Sequence, residues 1–175
     1  MIARGILSRF ARDQRGVAAV EMSLVGGLLA TALLNVVEVS RYAYMSAQVG
    51  AASQAAAHAA LVKCDPSETP VTLNCPDVAG EITKAIRGSS LGTRVHQHGA
   101  LSERWYCLTA TGALQDMSAA GTRPASCADA GDAMAKPGLY LRVQTDYTYD
   151  PLFPGLTIAE TFSETIVRTA WMRLR

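Results

Sequence analysis

No charged residue falls between Glu21 and Glu38, no proline precedes Pro66, and no cysteine precedes Cys64. Charge is scarce overall, at 18% of residues against 49% hydrophobic. An apolar content that high excludes a chain disordered throughout. A net charge of +1 over 175 residues excludes the basic face of a general nucleic-acid binder. The cysteines include no Cys-x-x-Cys spacing, which argues against a zinc site. The length suits one modest domain, or a smaller one carrying an extension.

The charges that are present sit unevenly. Residues 1–16 hold Arg4, Arg9, Arg12 and Arg15 against Asp13 alone, a local balance of +3 that leaves −2 for the rest. A basic stub followed by a long apolar run is a membrane-insertion signal, with the arginines on the cytoplasmic side. Residues 17–37, VAAVEMSLVGGLLATALLNVV, would span about 30 Å as a helix, the depth of a bilayer core. A cleaved secretory signal has an apolar core of about 7–15 residues, so this run is long for one. Gly26-Gly27, Ser23, Thr31 and Asn35 make it a mild span, and such small residues suit close helix contacts or simply ordinary membrane-helix composition. One transmembrane helix is expected, with residues 1–16 as a cytoplasmic leader.

Past Glu38 and Arg41 the chain stays Ala-rich, which predicts an unbroken helix over 17–63, roughly 70 Å long. Its later part, 38–63, repeats Tyr42, Met45, Val49, Ala52, Ala56 and Ala59 or Ala60 at three- and four-residue steps, an apolar face for a domain to pack on. Gly50 is either a bend or a surface glycine.

Residues 64–175 form the outer domain. A turn-rich stretch leads to Asp77, a candidate cap for the short helix VAGEITKAIRG, which Gly88 would end. Strand patterns follow at 93–98, 104–111, 139–149 and 162–174, with a long loop over 112–138. The expected fold is α+β: a long N-terminal helix against a small antiparallel sheet.

Cys64, Cys75, Cys107 and Cys127 all follow the apolar run, so they would meet an oxidising compartment and form two disulfides. Three pairings are open. The sequential one, Cys64–Cys75 with Cys107–Cys127, is favoured because it pins both loop-rich stretches, at roughly 3 kcal/mol each.

Catalytic patterns are weak. Gly88-Ser89-Ser90-Leu91-Gly92 fits Gly-x-Ser-x-Gly, but a nucleophile elbow needs a preceding strand and a following helix, and the order here is reversed. His96 and His98 would share a strand face without a third ligand. His58 reads as a polar residue on the exposed side of the Ala-rich helix, and Asp129 and Asp132 are too few for calcium. No catalytic residue, metal or cofactor is expected, and the chain does not read as an enzyme.

Glu21 resists a bland reading, because a carboxylate inside a span is costly without a partner. It lies four residues after Val17, so a cut after Gly16 would create a cationic amine within reach. Otherwise it sits at the lipid interface.

The stretch Arg-Gly-Val-Ala-Ala-Val-Glu at 15–21 resembles a type IV prepilin cleavage site. More narrowly, RFARDQRGVAAVEMSLV, the apolar helix, Glu38-x-x-Arg41 and the Ala-rich continuation resemble the TadE-like family of Tad (Flp) pilus pseudopilins. YTYDPLFPG at 147–155 is similar to a stretch often found before the last strands of such proteins. Met22 differs, standing where the family usually has Phe or Tyr. The resemblance implies Gly16 before the cut, Val17 as mature N-terminus, and Glu21 setting subunit register. It also implies a minor pilin serving surface adherence and biofilm formation, and an exported domain too large for the bulk subunit of a thin Flp fibre fits the tip or priming complex better than the shaft. Its partners would be the prepilin peptidase, other Tad minor pilins, the major Flp pilin, the inner-membrane pilus platform and membrane lipid, with no nucleic acid. The location would be the bacterial inner membrane, with the C-terminal domain periplasmic or carried into the pilus. Two other readings are an uncleaved single-pass anchor whose domain binds an envelope partner, and a hydrolase using Ser90.

Overall fold

The computed structural model describes residues 15–64, 69–119 and 121–175. Arg4, Arg9, Arg12 and the acidic Asp13 lie outside the described residues, as do Asp65 and Pro66.

The chain forms two compact units. One comprises the helix up to Arg41 with the loop Pro151–Phe162, and the other comprises Tyr42–Asp150 with Ser163–Arg175. A single helix, α1 (Arg15–Lys63), contributes to both and runs through Gly50 without a break. With no proline to remove a backbone donor and alanine at many positions, the stretch stays helical despite the cost of Gly26, Gly27 and Gly50.

In the first unit α1 exposes its apolar side chains, Val17, Val20, Met22, Leu24, Leu28, Leu29 and Leu33 among them. Three of its neutral polar side chains donate to the helix's own backbone. Ser23 donates to the Val20 carbonyl at 2.8 Å, Thr31 to Gly27 at 2.9 Å and Asn35 to Thr31 at 2.8 Å. Such local bonding is what allows polar residues in an apolar environment.

In the second unit α1 changes character. Val49, Ala52, Ala56, Ala57 and Ala60 are buried, with Ser46 and Ser53 between them. Ala60 rather than Ala59 completes the buried stripe. Two shorter helices follow, α2 (Val71–Asn74) and α3 (Val78–Arg87). The spacing of Val78, Ile82 and Ile86 buries all three on one face of α3. Asp77 does stand at the start of α3, but its backbone is left-handed (φ 64°) and its side chain makes no cap bond, so it turns the chain rather than capping it. Gly88 ends α3 in a right-handed conformation (φ −72°), so its lack of a Cβ is not what stops the helix.

The sheet has five antiparallel strands: β1 (His96–Gln97), β2 (Ser102–Leu108), β3 (Leu114–Ala119), β4 (Gly138–Thr148) and β5 (Thr165–Arg173). β4 is the centre. β5 pairs along its length, from Tyr140↔Arg173 to Thr148↔Thr165. The other edge is shared by β1, at Asp146, and by β2, from Arg142 to Gly138. β3 pairs only with β2, across a bulge at Trp105/Tyr106. Leu139, Leu141, Val143, Thr145 and Tyr147 alternate into the core, and Thr145 Oγ1 donates to the Val49 carbonyl of α1 at 3.1 Å.

Two strand assignments differ from the sequence pattern. Residues 93–98 yield only β1, because Gly92 (φ 59°) opens a 3₁₀ turn over Gly92–Arg94. The 112–138 stretch is not all loop. It holds β3, formed by a hairpin whose Gly112 (φ 80°) supplies the turn while Thr109 N–H reaches the Ala113 carbonyl at 2.8 Å. β3 reads LQDMSA and is an edge strand with a single partner, so it needs no apolar alternation.

The disulfides join Cys64 to Cys75 and Cys107 to Cys127, closing separations of 11 and 20 residues. The first ties the end of α1 to the residue after α2. The second anchors the 3₁₀ turn Ala128–Ala130 to β2.

Candidate functional site

A candidate site begins at the start of α1. Gly16, Val17, Val20, Glu21 and Leu24 line one shallow, mostly apolar groove. Helical geometry places Val17 and Glu21 one turn apart on the same side. Glu21 is exposed, and among the described residues it makes no hydrogen bond or ion pair. It therefore presents a carboxylate on an otherwise apolar surface, available to a cation brought alongside.

At the far end of the same unit lies a second carboxylate in the opposite condition. Glu38 is 0% exposed. Both its oxygens accept the backbone N–H of Leu152 at 3.2 Å, and Arg41 Nη1 stands 3.7 Å from Oε1. One turn earlier, Asn35 Oδ1 accepts the N–H of Ile158 at 2.8 Å. Two α1 side chains thus fix the loop Pro151–Phe162. Glu38-x-x-Arg41 and the PLFPG stretch had no visible link in sequence, and here one binds the other. In the second unit Tyr42 stacks edge-on against Tyr149 with centroids 5.0 Å apart, and Arg168 bonds the Ser46 hydroxyl.

The other candidates do not converge. Ser90 Oγ donates to Gln48 Oε1 at 2.7 Å and lies between α3 and a 3₁₀ turn, so no strand–turn–helix elbow forms around it. His96 and His98 are both exposed, and His98 Nδ1 is 3.7 Å from Asp146 Oδ1. Asp132 accepts the backbone N–H of Met134 at 2.9 Å and of Ala135 at 3.1 Å, which shapes its loop. His58 is exposed on α1. Among the described residues no three His, Cys, Asp or Glu side chains gather as a metal-holding group.

The outer sheet face carries the shifted ionisations. Tyr106 packs edge-on to Tyr140 and Trp171, at 5.9 and 5.1 Å, and burial pushes its phenol above the ordinary value, assisted by the Asp116 charge. Asp116, whose Oδ2 is 2.5 Å from Arg104 Nε, accepts from the Arg104 guanidinium and raises it, through that hydrogen bond first and its charge second.

These features define a class: a chain whose one apolar helix, among the described residues, is long enough to cross a membrane and continues into an α+β domain with two disulfides. Residues 16–58 match the family model described as TadE-like protein. The matched segment starts at Gly16, includes Glu21 and Glu38, and ends within the buried stripe of α1. No curated protein and no solved structure matches the chain.

Proposed function

We propose that the protein is a non-enzymatic minor pilin or pseudopilin in the assembly of a Tad (Flp, type IVb) pilus, serving surface adherence and biofilm formation. The observation that carries this reading is the pairing of Val17 and Glu21 on one side of an exposed apolar helix, inside the TadE-like segment. A prepilin peptidase would hydrolyse the Gly16–Val17 amide, leaving a carboxylate on Gly16 and a free amine on Val17. That amine is protonated near neutral pH. It would meet the Glu21 carboxylate of its own or a neighbouring chain, and apolar surroundings strengthen such a pair while penalising a missing partner. This gives register between subunits.

The apolar half of α1 would wait in the inner membrane, with the N-terminus cytoplasmic and the domain periplasmic. It would then move into a fibre without meeting water. The exported domain is too large for the bulk subunit of a thin fibre, which favours the priming complex or tip. Other minor pilins, the major Flp pilin and the inner-membrane platform are the expected partners.

The test is the N-terminal mass of the protein from cells with and without active prepilin peptidase. A chain beginning at Val17 only when the enzyme is active supports the proposal. A chain retaining residues 1–16 in both strains overturns it in favour of an uncleaved single-pass anchor that binds an envelope partner.

A further inference from the structure

The loop Pro151–Phe162 has the wrong surface for a loop in water. Its sequence, PLFPGLTIAETF, carries a single charge at Glu160. Three of its large apolar side chains point outward: Leu152 is 51% exposed, Leu156 65% and Ile158 51%. Several of its polar groups, by contrast, bond within the loop, while Leu152 N–H and Ile158 N–H reach α1 and Glu160 and Thr161 stay exposed. Gly155 N–H donates to Glu160 Oε1 at 2.8 Å, Leu156 N–H to the Phe153 carbonyl at 3.2 Å, Thr161 Oγ1 to the Ile158 carbonyl at 2.6 Å, and Phe162 N–H to the Ala159 carbonyl at 3.0 Å. Internal satisfaction of the backbone with apolar side chains outside is what a bilayer requires of a segment that touches it.

The loop's height is fixed as well. It is held by Asn35, inside the apolar run, and by Glu38, the first charged residue after that run. Those residues are about 4.5 Å apart along a helix axis. If α1 crosses a membrane, both tethers therefore lie where the hydrocarbon ends. Lipid is then the neighbour that the loop meets by virtue of its attachment, whatever else the protein binds. Apolar side chains at that depth favour the boundary between headgroups and acyl chains.

We propose that Pro151–Phe162 is a lipid-contacting collar, with Leu152, Leu156 and Ile158 seated in the outer headgroup–acyl boundary of the bilayer that α1 spans. The inference rests on the reading of α1 as a span. The collar sets how deep α1 sits, because moving the helix in either direction drags three apolar side chains out of their layer. It also covers the Glu38 carboxylate at the edge of the hydrocarbon.

Depth measurements with nitroxide labels test this on the full chain, in bilayers of three parts phosphatidylethanolamine to one part phosphatidylglycerol. The native cysteines are all in disulfides, so a thiol-specific label reports only an introduced residue. Labels are placed singly through Leu152→Cys, Leu156→Cys and Ile158→Cys, with Leu29→Cys in the span and Met134→Cys, 93% exposed in its own loop, as references. Collision rates with oxygen, which partitions into lipid, and with a water-soluble nickel chelate give depth. The three collar sites should show oxygen-to-nickel ratios several-fold above the Met134 site, placing them about 5–10 Å into the boundary. Met134-like ratios at the collar with a lipid-like Leu29 site overturn the collar and leave the span standing. Low collision with both reagents means protein covers the loop, and also overturns it. A water-like Leu29 site removes the span and the collar together.

Discussion

The buried carboxylate of Glu38 receives the backbone N–H of Leu152 on both oxygens at 3.2 Å, across a separation of 114 residues. A charge at 0% exposure is costly unless partners surround it, and here a main-chain donor and Arg41 supply them. The bond attaches the loop Pro151–Phe162 to α1 where the apolar run ends.

Replacing Glu38 by Ala strands the Leu152 donor and should destabilise the protein by about 1–3 kcal/mol. Thermal unfolding in detergent micelles measures the loss, and limited proteolysis should show faster cutting within Pro151–Phe162. Glu38→Gln retains an acceptor and should lose less. Native-like cleavage in Glu38→Ala would show that the loop is held by other contacts.

Ala56 is 0% exposed beneath the domain, whereas its neighbour Ala55 faces outward. Ala56→Leu should overpack the helix–sheet contact and cost about 1–3 kcal/mol. Ala55→Leu should stay within about 0.5 kcal/mol of the parent. Equal stabilities in denaturant titrations would contradict the buried stripe.

The two disulfides should contribute comparably, at about 3 kcal/mol each. The longer Cys107–Cys127 loop should lead by about 0.5 kcal/mol, since closing it removes more freedom from the unfolded chain. Paired Cys→Ala replacements, compared by their unfolding midpoints, check the order. A larger loss at Cys64 and Cys75 would reverse it.

Tyr106 should ionise above the ordinary tyrosine value. Its folded value is raised by burial first and the Asp116 charge second, so the folded state holds its proton more tightly than the unfolded chain. Its contribution is fully present below the ordinary tyrosine value of about 10 and is lost as pH rises through Tyr106's own, higher value. Absorbance titration near 295 nm should show a phenol ionising above the ordinary tyrosine value, and Tyr106→Phe should remove that step. Stability that is flat through this range in the parent would contradict the shift.

Leu139 to Tyr147 were legible as a strand because one face of β4 is covered, and the alternate inward residues are apolar or aromatic except Thr145. Val78, Ile82 and Ile86 were legible because helical spacing puts them on one side. β3 was not, since an edge strand with one neighbour can be polar throughout and its place is set by a glycine turn and by β2. Asp77 had the residue type of a helix cap, but its left-handed backbone turns the side chain from that role. At the candidate site, Glu21 stood out in the sequence through its charge alone, a local contradiction within an apolar run. Glu38 gave no such signal, because a charged residue just past a span is ordinary.

The sequence by itself determined the long helix, the apolar run within it and the isolated carboxylate near its start, since each follows from composition and spacing over a few turns. Only the tertiary structure decided that Glu38 is buried, and that Asn35 and Glu38 hold a loop 123 and 114 residues further on. Those bonds form only once the sheet has brought the chain back to α1. Helical and strand periodicity reports which side of an element is apolar, but carries no information about which distant backbone donor will arrive there.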